Sequence, residues 1–262
     1  MKGKVLVYRD QGELAERFSA LLMERIVLSV EGRFDLAISG GSTPQVVFKA
    51  LAAKYADSPL WQNTHFWWVD ERMVHPDHPE SNFGVANRLL FSKISIPQKN
   101  IHRIKGENEP YHEAGSYAQQ IQAEVPARHS QQVDPVEDWL DVQLVESKAP
   151  LRNERPIFDM IILGLGDDGH TASIFPDQLD LLDSDLICAV AHHPVTGQAR
   201  VTLTGKQINH ASEVCFLVTG ANKAARLSEI ARNGEKAKLL PASYIHPENG
   251  ELFWYCDASA LG

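Results

Sequence analysis

Hydrophobic and polar positions along the chain switch between two periods, and the switches mark a repeated strand–helix order. Lys4–Tyr8 reads as a short strand, after which Asp10 and Glu13 form a capping-box arrangement. Leu14, Phe18, Leu21, Leu22 and Ile26 then recur at helical spacing, marking the buried side of a long helix that Gly32 ends. Phe34–Ile38 is the next strand. The loop Ser39-Gly40-Gly41-Ser42-Thr43-Pro44 leads into a helix over Gln45–Tyr55, with Thr43 as its cap and Pro44 at the first helical position. His65–Val69 follows as a strand and Ser81–Phe91 as a helix. Ala114, Tyr117, Ala118 and Ile121 place another helix over Tyr111–Glu124. Later strands are predicted at Met160–Leu163, Ile187–Ala191, Arg200–Leu203, Val214–Val218 and Leu252–Tyr255, with a helix over Lys223–Arg232.

This alternation predicts an α/β protein, a mainly parallel, Rossmann-like sheet flanked by helices on both faces. The polar stretch from Val125 to Pro156, interrupted by four prolines, reads as an excursion with one short helix around Val136–Val145. The strand–helix pattern resumes in the same style beyond it, so residues 1–262 are expected to form one domain. In such sheets ligands sit beyond the carboxyl ends of the strands, and the loops at those ends are where chemistry is to be sought.

Composition narrows the field. Acidic residues outnumber basic ones, 34 to 25, and no basic stripe of the kind that binds nucleic acid is visible. A phosphorylated small molecule stays open, because local donors outweigh an unfavourable global charge. Cys188, Cys215 and Cys256 are isolated and odd in number, and buried free thiols suit a reducing compartment. The start of the chain enters a strand directly, and no apolar run approaches membrane-spanning length. A soluble cytoplasmic protein is the expectation.

Four loops carry candidate chemistry. Gly40, Gly41, Ser42 and Thr43 follow a strand and open a helix, where amides and hydroxyls converge on an anion beside the positive helix end. A plain glycine turn capped by Thr43 is the alternative, and the two glycines followed by two hydroxyl residues favour phosphate. Val69-Asp70-Glu71-Arg72 ends the strand holding Trp67 and Trp68. Arg72 there suits a bidentate phosphate or carboxylate clamp, against the alternative of a surface ion pair around Glu71. The third loop, Gly164–Ser173, follows the apolar run Met160–Leu163 and brings Gly166, Asp167, Asp168, Gly169 and His170 together. Glycines there let the backbone turn sharply, and a histidine suits proton transfer. GLGDDG matches a dinucleotide fingerprint only in part, and the acidic residue needed about 20 residues on is missing. In the fourth loop, Lys223 stands at a helix start, where a cation is unfavourable without an anion; Arg200 at the head of its strand is similar. His75, Asp77, His78 and the His192-His193 pair lack the recurrent spacing of a zinc site. No G-x-S-x-G elbow is present, which speaks against a covalent serine ester.

Taken together, SGGSTP, VDER with its downstream SN, GLGDDGHTASIFP, RVTLT and the GANKA turn resemble the 6-phosphogluconolactonase family, within the fold group that includes glucosamine-6-phosphate deaminase. The resemblance runs from about Val5 to Asp257. Phe175-Pro176 stands where the deaminase branch carries glutamate, and VDER replaces the deaminase-like DEY. The chain departs from the lactonase pattern at Asp177, where glycine is usual, and across His192–Ala199. The resemblance implies hydrolysis of 6-phospho-D-glucono-1,5-lactone in the oxidative pentose phosphate pathway, with His170 as the general base. It gives Asp70 either to His170 or to a substrate hydroxyl, and the oxyanion to Arg72 or to the amides near Gly166–Gly169. Gly40, Gly41, Ser42, Thr43, Arg200 and Lys223 are the phosphate candidates, and Gly166, Asp168 and Gly169 are counted with the substrate-binding groups. Which of Asp167 and Asp168 faces the site stays open. Neither metal nor organic cofactor is implied, and the partner is a small sugar phosphate acted on by a monomer or weak homodimer. A deaminase-type isomerase and a non-catalytic sugar-phosphate sensor are the rival readings; the missing glutamate counts against the first and retention of His170 against the second.

Overall fold

A computed structural model describes residues 2–29, 32–127 and 155–262. Its elements run β1 (Lys4–Tyr8), α1 (Gln11–Val27), β2 (Phe34–Ile38), α2 (Ser42–Tyr55), β3 (Thr64–Trp68), β4 (Asp70–Arg72), α3 (Asn82–Leu89), β5 (Ile101–His102), α4 (Pro110–Glu124) and β6 (Met160–Leu163). They continue with β7 (Cys188–His192), β8 (Ala199–Leu203), α5 (Gly205–Ile208), β9 (Glu213–Val218), α6 (Ala224–Arg232), β10 (Glu251–Asp257) and α7 (Ala258–Leu261). The helix expected around Val136–Val145, and most of the 125–156 excursion, lie outside the described residues. At the margins of that stretch, the Ile157 amide donates to the Pro126 carbonyl at 3.0 Å.

Seven strands form one parallel sheet in the order β1-β10-β9-β6-β2-β3-β5, flanked by helices as the alternation predicted. Central strands β2, β6 and β9 are buried along their whole length, which explains why their sequences, apart from Asp35 and Glu213, are apolar runs rather than alternating ones. On β3 and β10, Phe66, Trp67, Trp68 and Trp254 are buried with them, and Trp254 stacks on Phe216 at 3.9 Å between ring centroids. Burying each such side chain contributes on the order of 1.5–3 kcal/mol.

The strand order reverses between β2 and β6. From β2 the chain winds outward through β3 and β5; from β6 it winds the other way through β9 and β10. Loops leaving the carboxyl ends of two such neighbours diverge and open a crevice. Here those loops are Ser39–Thr43 and Gly164–His170.

The structure adds a second sheet that the sequence did not announce. At Val69 the chain leaves the main sheet: its amide still donates to Ile38 (3.0 Å), whereas its carbonyl accepts from Leu203 in β8 (2.7 Å). Strands β4, β8 and β7 then pair antiparallel, with Asp70 opposite Thr202 and Arg72 opposite Arg200. The segments of β7 and β8 were correctly read as strands, but nothing in a strand's own pattern says which sheet it joins.

Candidate active site

After β6 the backbone folds into a tight turn. Gly166 donates to the carbonyl of His170 at 2.8 Å, Gly169 donates back to Gly166 at 3.1 Å, and the Thr171 hydroxyl donates to Gly164 at 3.0 Å. Gly169 needs its freedom, with φ at 90°. Gly166 is required for space: a Cβ there would lie 2.1 Å from His170 Nδ1. The turn thus presses the imidazole against its own backbone, with the Phe175 ring 5.0 Å away on another side. Asp168 Oδ1 lies 2.6 Å from His170 Nδ1 and accepts the His170 amide at 3.0 Å. Burial alone would raise the Asp168 carboxyl, but its bonds and charge interaction with His170 outweigh that and bring it down to about 2. The imidazole remains partly open, 29% exposed, on the wall of a polar pocket of about 280 Å³.

The second sheet supplies the opposite wall. Asp70, Arg72 and Arg200 all line the pocket, since alternate residues of β4 share one face and Arg72 sits across from Arg200. Asp70 Oδ2 accepts the Ser173 hydroxyl at 2.6 Å, and Asn82 Nδ2 lies 3.4 Å from Oδ1. Arg200 is 8% exposed and extends past the Phe175 ring at 5.5 Å, its Nη1 reaching Ser173 Oγ at 3.5 Å. Burial pushes the Arg200 guanidinium below its ordinary range; Asp70 opposes that shift and Arg72 adds to it. Arg72 Nη1 donates to the Glu80 carbonyl at 2.7 Å. The buried Nε of both arginines has no hydrogen-bond partner. Half-buried Arg72 and buried Arg200 line one small pocket with Lys223, which makes it a candidate anion site.

The third wall comes from Ser39–Thr43 and the loop after β9. Helix α2 starts two residues earlier than the sequence suggested, at Ser42 and not at Pro44. Its N-cap is Gly41, with φ at 109° and no side-chain cap bond, and Thr43 instead shares a 2.8 Å bond with Thr219. The first-turn amides of α2 are therefore left without a side-chain cap beside the pocket. Lys223 lines the pocket from the N-cap of α6 and pairs with Asp167, whose carboxylate Asn222 also reaches at 2.9 Å.

The structure brings Gly40, Gly41, Ser42, Thr43, Asp70, Arg72, Gly166, His170, Arg200 and Lys223 together around one pocket. It corrects several expectations. His170 is oriented by Asp168, not by Asp70, because the two-residue turn places that carboxylate directly under Nδ1. Asp168 serves the imidazole, while Asp167 is the one of these two adjacent acids that lines the pocket. The Gly166 and Gly169 amides donate within the turn, which removes them as oxyanion donors. Gly169 shapes the turn and does not line the pocket. Glu71 forms no surface ion pair; it is buried, 1% exposed. Asn82, named in the sequence only within the SN downstream of VDER, and Thr219 also line the pocket. Thr219 ends the buried run of β9, and that position at a carboxyl edge was the available signal. His75 and His78 lie near Asp77 and Glu80 on the surface, at 3.4 and 3.9 Å, and all three cysteines are buried and free.

Fold and pocket together define a class: α/β proteins with a pocket lined by basic side chains at a topological switch point, next to a histidine buttressed by a carboxylate. The chain belongs to the glucosamine-6-phosphate isomerase/6-phosphogluconolactonase family, whose model matches residues 9–254. It is 41% identical over 227 residues to the 6-phosphogluconolactonase of Haemophilus influenzae, covering 86% of this chain and 85% of that one. The crystal structure of the devB protein superposes with a TM-score of 0.83 at 39% identity, covering 98% and 97% of the two chains. A monomeric glucosamine-6-phosphate deaminase shares the fold at 16% identity, with a TM-score of 0.72 and 98% of each chain covered.

Proposed function

We propose that the chain hydrolyses 6-phospho-D-glucono-1,5-lactone to 6-phospho-D-gluconate, with His170 as the general base. The observation carrying this reading is the 2.6 Å Asp168–His170 pair, whose imidazole lines the same pocket as Arg72, Arg200 and Lys223. An ionised carboxylate only accepts, so His170 Nδ1 carries the hydrogen and Nε2 keeps its lone pair for a water. That nitrogen takes a proton as the water oxygen attacks the lactone carbonyl. The carbonyl oxygen becomes an oxyanion beside the Arg72 guanidinium, where preorganised charge stabilises it. When the ring C–O bond breaks, the imidazolium returns its proton to the departing ring oxygen, which becomes a hydroxyl. Lys223, Arg200 and the Gly41–Thr43 start of α2 hold the phosphate, and Asp70 meets a sugar hydroxyl. Water is the co-substrate, and the step needs neither a metal nor an organic cofactor.

The same reading gives a one-domain cytoplasmic enzyme, a monomer or weak homodimer, without nucleic-acid or membrane partners. The acidic balance of the chain supports the absence of a nucleic-acid partner; no described helix is long and apolar enough to cross a membrane.

The test is direct. Purified protein is given freshly generated lactone, and separately glucosamine 6-phosphate, alongside His170→Ala. Lactone loss well above the spontaneous rate, abolished in the variant, is the expected result. Hydrolysis at the background rate sinks the proposal, ammonia release makes the protein a deaminase, and tight binding without turnover makes it a sensor.

A further inference from the structure

Glu71 stands between Asp70 and Arg72, yet alternation along β4 turns it away from the face they share. Its carboxylate is buried and accepts four hydrogen bonds. Arg72 N and Asn82 N donate to Oε1 at 2.8 Å each, Phe83 N donates to Oε2 at 2.8 Å, and Ser81 Oγ reaches Oε2 at 3.1 Å. Two of these donors are the first amides of α3, which have no acceptor within their own helix. Ser81, the N-cap, takes the Gly84 amide at 3.0 Å and leaves those two to Glu71. A carboxyl group from another strand therefore fixes where this helix begins.

That matters because of what the first helical residue does. Asn82 lines the pocket, and its Nδ2 donates to the Asp70 carbonyl at 2.9 Å. Its Oδ1 lies so near the Ser39–Thr43 loop that a Cβ on Gly40 would come within 1.9 Å of it. Asn82 is thus the spacer between the two walls of the pocket, and Glu71 is the group that holds its backbone.

We infer that Glu71 is a positioning residue, whose carboxylate sets the start of α3 and thereby holds Asn82 against Asp70 and the Gly40 loop. The substrate it serves rests on the lactonase reading; the geometry does not. A carboxylate is suited because two oxygens offer about four acceptor sites, whereas a glutamine would turn an NH2 group towards two of the donors.

A double-mutant cycle separates positioning through Asn82 from a general effect on folding. Glu71→Gln, Asn82→Ala and the double variant are compared by thermal melting and by lactone kinetics. Each single variant is expected to remain folded and to raise KM at least fivefold, with kcat changed less than about threefold. The double variant is expected to be no worse than Asn82→Ala by more than about twofold, because the pathway is already cut. Effects that multiply in the double variant, or an unchanged KM in folded Glu71→Gln, overturn the inference. Should Glu71→Gln not fold, Glu71→Asp, which keeps both oxygens one methylene back, carries the same cycle. Should the wild-type protein fail to hydrolyse the lactone, that outcome belongs to the lactonase reading, and the cycle is read in the affinity for 6-phosphogluconate.

Discussion

Asp168 and His170 are joined twice within two residues: one carboxylate oxygen meets the imidazole Nδ1 at 2.6 Å and the histidine's own amide at 3.0 Å. The pair is therefore built by the turn itself and does not depend on docking of distant elements. A carboxylate in that place selects the tautomer that leaves Nε2 unprotonated, and it stabilises the imidazolium that forms when a proton is taken up.

Asp168→Asn is expected to keep the fold and to lower kcat on the order of 10²-fold, since an amide neither fixes the tautomer nor stabilises the imidazolium. KM should move by less than about twofold. Steady-state rates corrected for spontaneous lactone opening provide the check, and a kcat within threefold of wild type would exclude the assigned role.

Space around the imidazole gives a second prediction. Gly166→Ala places a methyl group 2.1 Å from His170 Nδ1, which the ring relieves only by leaving Asp168. The variant should lose at least about tenfold in kcat, the scale on which misplacing a reacting group acts. Gly115 in α4 is the control: an added Cβ meets nothing within 4 Å, and Gly115→Ala should raise stability by about 1 kcal/mol with activity unchanged. Kinetics and urea midpoints measured on both variants distinguish a local steric effect from a general intolerance of alanine.

These residues also show what a sequence makes legible. The apolar runs Leu36–Ile38, Met160–Leu163 and Val214–Val218 told of a buried parallel sheet, because a strand covered on both faces has no polar side to display. The glycine loops told of the pocket, because close approach of backbone to a ligand excludes Cβ atoms. Partner choice was hidden. Asp168 and Asp167 are adjacent acids in an identical local context, and only the turn decides that one serves His170 while the other meets Lys223. Glu71 looked like a surface charge because its acceptor role lies toward a helix start ten residues on. The second sheet was hidden for the same reason, since pairing is a relation between segments and not a property of either.

Lys223 tests the phosphate assignment. It lines the pocket from the N-cap of α6, where the helix end repels a cation, and its pairing with Asp167 offsets that cost only at an exposed carboxylate. Loss of a charge-assisted bond to phosphate costs about 1.5–3 kcal/mol, so Lys223→Ala should raise KM roughly tenfold to a hundredfold with little change in kcat. An increase below about twofold would remove Lys223 from the phosphate site.

Far from the pocket, His65 on β3 and His102 on β5 predict how stability depends on pH. Their Nδ1 and Nε2 atoms lie 2.9 Å apart with ring planes 14° from parallel, and Trp67 stacks on His102 at 3.9 Å. Burial, helped by Arg33 and opposed by Asp35, pushes both imidazoles down to about 4; Glu124 Oε2 lies 3.3 Å from His102. Their folded pKa lies below the unfolded value of about 6.5, so the unfolded chain binds the protons first. The stability they confer is complete above about pH 6.5 and is lost as pH falls towards 4. Glu71 acts in the opposite sense: burial, opposed by its backbone bonds, raises it to about 7, so the cost of holding its ionised, bond-accepting form grows as pH rises from about 4.5 through 7. The two trends overlap, so only a difference between proteins isolates the histidines. The urea midpoint of the wild type should fall more between pH 7 and pH 4.5 than that of His65→Gln/His102→Gln, which cannot take up the protons and keeps the Glu71 contribution. Equal falls in the two proteins would show that the histidine pair does not govern acid lability.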